Sequence, residues 1–110
     1  FSQLRCAQGT EEISGALFVT NRQLMWRTID PRKPEGSEFE VLLEDVLGVD
    51  RPPRVAVLGA FRIVTEERGQ PLETYFFPQH RTEVDRLLCE QMFVAVETAW
   101  QDRRHLRFSA

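Results

Sequence analysis

Gly15–Trp26 reads GALFVTNRQLMW, and its reading decides the fold. Leu17 and Val19 alternate with Ala16 and Phe18. After the polar Thr20-Asn21-Arg22-Gln23, Leu24 and Trp26 fall on one face and Met25 on the other. Period-two apolar spacing on both sides of a short polar break predicts a β-hairpin. Asn tolerates positive φ, so Asn21 is expected in the tight turn. Gly15 opens the hairpin where a bulky side chain is not expected to fit. Leu17, Val19, Leu24 and Trp26 form an apolar strip that must pack against the rest of the chain, which makes the stretch core and not an active site.

Working outward, Phe1–Gln8 alternates loosely, with Leu4 and Cys6 on one side, and suits a first strand. Gly9-Thr10-Glu11-Glu12 is a polar turn, and the hairpin runs from Ile13 to Ile29. DPRKPEGS, residues 30–37, is a loop by its prolines and glycine. Phe39, Val41 and Leu43 alternate with Glu38, Glu40 and Leu42 as a half-buried strand. Glu44-Asp45 interrupts it before a short strand at Val46–Asp50. Pro52 and Pro53 break the ladder. Val55–Thr65 then reads as a long β-rich run with a bend or bulge at Gly59. Glu66–Gln70 is a turn, and Leu72, Thr74 and Phe76 alternate with Glu73, Tyr75 and Phe77 until Pro78 stops the strand.

The last segment changes period. Thr82, with Asp85 three residues on, is an approximate capping box. Val84, Leu87, Leu88, Met92, Ala95, Val96 and Ala99 follow helical spacing, with Glu83, Arg86, Glu90 and Glu97 opposite. The pattern predicts a helix from about Thr82 to Asp102. Six to seven short antiparallel strands cannot bury both faces unaided, and an amphipathic helix of this length can plug one end of a curved sheet. The expected fold is mainly β, a partly open antiparallel barrel or sandwich capped by one C-terminal helix, in a single domain over residues 1–110.

A chain of 110 residues with 42% hydrophobic residues supports one modest core. The net charge of −3 argues against direct nucleic-acid binding. The longest apolar run, Met92–Val96, is far too short to span a bilayer. The two cysteines, Cys6 and Cys89, make no disulfide framework and lie in apolar surroundings. Free buried thiols and a cytoplasmic location are the expectation.

The hairpin sequence resembles that of GRAM-type pleckstrin-homology (PH-like) domains: a glycine, an alternating strand ending in Thr-Asn, an Arg-Leu pair (here split by Gln23) and an aromatic. Residues 39–46, FEVLLEDV, resemble the next strand and the step after it. Tyr75-Phe76-Phe77 and the helix resemble the closing strand and its helix. GLUE domains and the PH-like domain of a TFIIH subunit share the arrangement. The resemblance covers about Gly15 to Trp100. It implies a non-catalytic adaptor that binds a phosphoinositide at a membrane surface or a partner protein. The alternative it implies is a protein-interaction module that reads an acidic peptide or self-assembles, with no lipid binding. The usual basic cluster between the first two strands is replaced here by the acidic Gly9–Glu12 turn, which argues against the usual inositol-phosphate pocket.

The residues themselves offer little chemistry. His80 and His105 lie 25 apart with no ligand partner at metal spacing, so no metal is expected. No nucleophile elbow and no phosphate-cradling glycine motif appear, so neither enzyme activity nor a cofactor is expected. The candidate ligand-binding residues are Arg27, Arg32, Lys33, Arg51, Arg54 and Arg62. Arg32 and Lys33 sit in the loop after the hairpin, Arg51 and Arg54 bracket Pro52-Pro53, and Arg27 and Arg62 point out of their strands. Converging loops would let them hold an anion.

Overall fold

Seven antiparallel strands form one sheet that curls into a nearly closed barrel, with a C-terminal helix over it. The computed structural model describes residues 2–8, 11–28 and 38–108. The strands are β1 (Ser2–Gln8), β2 (Glu11–Val19), β3 (Gln23–Thr28), β4 (Phe39–Leu42), β5 (Val46–Asp50), β6 (Phe61–Glu67) and β7 (Gln70–Pro78). A 3₁₀ turn, Leu43–Asp45, separates β4 from β5. A four-residue helix α1 (Pro53–Ala56) precedes β6, and α2 (Glu83–Phe108) ends the chain. The sheet order is β4-β3-β2-β1-β7-β6-β5, so β4 and β5 are its two edges.

The hairpin forms in the expected register, with Leu17 opposite Trp26 and Val19 opposite Leu24. Leu17, Leu24 and Trp26 are fully buried, and Val19 packs against the same core. Trp26 meets Phe76 with ring centroids 5.6 Å apart, and Phe76 stacks on Phe61 at 5.2 Å. Gly15 is held to glycine by space. A Cβ there would lie 2.6 Å from Trp26 Cζ2 and closer still to the Arg27 carbonyl oxygen. The turn is closed by Thr20 and not by a left-handed Asn21: Thr20 Oγ1 accepts from the Arg22 and Gln23 amides at 3.2 and 3.0 Å. A side-chain oxygen capping two amides makes positive φ unnecessary. The β6–β7 turn takes the other route, with Arg68 at φ 52° and Gly69 at φ 78°, the pair a twisted two-residue hairpin loop demands.

Three further sequence expectations are corrected. Val55–Thr65 is not one β-rich run: Pro53 starts α1, a turn follows, and β6 begins only at Phe61. Proline suits the first helical position because its missing N–H has no partner there anyway. The fold therefore has a short second helix besides α2. On α2 the buried arc is Cys89, Met92, Val96 and Trp100, whereas Val84, Leu87, Leu88 and Val94 are exposed. The helix carries two apolar arcs and turns the later one inward. It also runs to Phe108, beyond the expected Asp102. Its start is as expected, with the Asp85 amide donating to Thr82 Oγ1 at 3.2 Å.

Candidate functional site

Three of the arginines expected to hold an anion, Arg27, Arg51 and Arg62, are built into ion pairs. Arg62 lies on β6 between β5 and β7, with Asp50 and Tyr75 as its cross-strand partners. Its guanidinium grips both oxygens of Asp50 and donates from Nη1 to Glu73 at 2.9 Å. The Asp50 hydrogen bonds raise its already high pKa further. Glu73 in turn accepts from the Tyr75 hydroxyl at 3.1 Å, and Arg54 on α1 donates to that hydroxyl at 3.3 Å. One network thus joins Arg54, Tyr75, Glu73, Arg62 and Asp50.

Arg27, on β3, donates to Glu38, just before β4, at 3.1 Å and to Glu40 on β4 at 2.8 Å. Arg51 turns toward α2, where its guanidinium lies 5.3 Å from the Phe93 ring centre and 3.6 Å from Glu90. Arg54 and Arg62 are therefore brought together, while Arg27 and Arg51 engage other elements. Arg32, Lys33, Gly9 and Thr10 lie outside the described residues. Arg27 and Arg62 each stand between two carboxylates, so neither guanidinium is left as an uncompensated positive charge.

A cleft of about 440 Å³ went unmarked in the sequence. Arg5, Val57, Leu58, Phe77 and Arg86 help to line it, as does Arg81. Arg5 donates to the Pro78 carbonyl at 2.8 Å and pairs with Glu12, and Arg86 donates to the Val57 carbonyl at 3.1 Å. Arg81 has no ion-pair partner among the described residues. Val57 is 70% exposed and Leu58 55%. β1, β7, the α1–β6 turn and the start of α2 together bring these residues to one place. No sequence spacing signals that approach.

Both thiols are buried and unlinked. Burial pushes Cys6 and Cys89 up to about 12, so neither is a thiolate nucleophile at neutral pH. Among the described residues no group of three or more His, Cys, Asp or Glu is arranged to hold a metal. No described helix is long and apolar enough to cross a membrane.

No protein-family model matches the chain. No curated protein matches it either. Solved structures do. The C-terminal domain of an unknown protein from Leishmania infantum superposes with a TM-score of 0.60 at 16% identity, covering 91% of this chain and 82% of that one. The PH domain from PfAPH gives 0.62 at 10% identity, covering 91% and 81%. The DH/PH domains of PDZ-RhoGEF, solved in complex with GTP-γ-S-activated RhoA, give 0.60 at 13% identity, covering 93% of this chain and 29% of that one. The chain has the PH-like fold.

Proposed function

We propose that the chain is a non-catalytic PH-like module that binds a partner protein and does not capture phosphoinositides through its strand arginines. The observation that carries this reading is the pairing of Arg27 and Arg62, each held between two carboxylates. A phosphate would have to displace Asp50 from a two-pronged grip, and Glu73 would repel it. Losing these charge-assisted hydrogen bonds would offset much of what a phosphate gained from the same guanidinium. A PH-containing neighbour solved with a protein bound, PDZ-RhoGEF with RhoA, supports the same direction. The Gly15 hairpin supports a GRAM-type affiliation, and the buried free thiols support a cytoplasmic location.

One feature favours a second reading. The exposed Val57-Leu58 turn beside Arg81 and Arg86 has the make-up of a membrane-surface contact, apolar at the tip and cationic around it. Sedimentation with phosphatidylcholine vesicles containing a phosphoinositide decides between them. Protein that stays in the supernatant at low salt supports the protein-binding reading. Pelleting that falls with salt and is lost in Val57→Ser/Leu58→Ser supports the membrane reading and overturns the first.

A further inference from the structure

We propose that the groove between the two edge strands is a docking site for a basic, extended peptide segment of a partner protein. This inference rests on the protein-binding reading above. The sheet order leaves β4 bonded only to β3 and β5 only to β6, yet both edges line one groove of about 400 Å³. Its floor is Ile63 and Thr74, both buried. Val41 on β4 and Leu47 on β5 both line it, and Leu47 is 57% exposed. An unpaired edge presents backbone donors and acceptors at strand spacing, which an extended segment can complete.

Charge complementarity selects the occupant. Glu40, Asp45, Glu66 and Glu67 line the groove, and none of its lining residues is Lys, Arg or His. Glu40 is shared with Arg27, but Asp45, Glu66 and Glu67 have no ion-pair partner among the described residues. An acidic peptide or a phosphate would meet uncompensated carboxylates here. A segment that alternates basic and apolar residues would place its apolar side chains on Val41 and Leu47. Its cations would lie beside Asp45, Glu66 and Glu67. Such a match gives orientation and association rate as much as affinity.

The probe is a fluorescent Lys-Val-Lys-Leu-Lys-Val-Lys peptide, compared with Glu-Val-Glu-Leu-Glu-Val-Glu by polarisation. The basic peptide should bind saturably, at least tenfold tighter than the acidic one, and more weakly as salt rises. Glu66→Lys/Glu67→Lys, on exposed positions at the end of β6, should weaken it at least tenfold with the melting temperature kept. Amide shifts in the labelled protein should gather on Phe39–Leu42 and Val46–Asp50. Unchanged affinity in the double variant, shifts centred on Val84–Val94, or no binding at all would overturn the groove assignment. A dimer dissociated by the double variant would give the groove to a second copy and overturn it as well. Phosphoinositide vesicles that pellet the same preparation would instead overturn the protein-binding reading itself.

Discussion

The indole Nε1 of Trp100 donates to the main-chain carbonyl of Val46 at 3.0 Å, across 54 residues of sequence. This bond ties α2 to the first residue of β5, an edge strand with one ladder neighbour. The indole is 7% exposed, and Arg104 covers it at 4.8 Å from the ring centre. Trp100→Phe keeps most of the apolar area but takes the indole donor away from the buried Val46 carbonyl. It should cost about 1–3 kcal/mol by chemical denaturation, the usual penalty for a buried polar group that loses its partner. Protection of β5 amides from hydrogen exchange should fall more than that of the β2–β3 hairpin.

Gly15→Ala is a test of contact between the hairpin and Trp26. The added methyl has no room against the indole and the Arg27 carbonyl. Overpacking of this kind costs about 1–3 kcal/mol. Gly48→Ala is the control, because a Cβ there meets nothing within 4 Å. It should change the denaturant midpoint little. Equal effects from the two would show that the Gly15 site is roomier than its geometry says.

The orientation of α2 is checked by two valines two residues apart. Val96 is fully buried and Val94 is 55% exposed. Val96→Ala should cost about 2 kcal/mol, in line with the loss of a buried aliphatic side chain. Val94→Ser should stay within about 0.5 kcal/mol, as surface changes do. The reverse order would mean that the helix is rotated.

The buried thiols make stability fall at alkaline pH. Below about 9 both thiols are protonated in the folded and unfolded chain, so they contribute nothing to the pH dependence. Above it, the unfolded thiols ionise while Cys6 and Cys89 stay protonated up to about 12. The unfolded state then binds fewer protons, and stability drops as pH rises. A Cys6→Ala/Cys89→Ala variant should show a shallower loss between pH 9 and 11, followed by urea midpoint.

The hairpin was legible in the sequence because its alternation and its polar break are local. Six to seven strands and a closing helix followed from the same kind of pattern. Val55-Ala56 was misread because a short β-branched run looks alike in a strand and in a single helical turn, although Pro53 marked a helix start. The expected face of α2 holds at Met92, Val96 and Ala99 and fails at Val84, Leu87 and Leu88, because Val84-Leu87-Leu88 and Cys89-Met92-Val96 both have helical spacing. Only the sheet beneath decides which arc is buried. The pairing of Arg62 with Asp50 and Glu73 depends on β5, β6 and β7 being neighbours, and the acidic groove on both edges curling to one place. Neither is written in residue spacing.

The central claim is that the strand arginines are engaged internally and the module does not bind phosphoinositide headgroups through them. The most direct measurement is a titration of the isotope-labelled chain with a soluble inositol polyphosphate at low salt, following the arginine Nε–H resonances of Arg27 and Arg62. The account predicts no saturable shift at either, since Glu38 and Glu40 hold the two Nη groups of Arg27, and Asp50 and Glu73 hold the Nε and Nη groups of Arg62. Saturable shifts at both, reversed by salt and abolished in Arg27→Ser/Arg62→Ser, would contradict it.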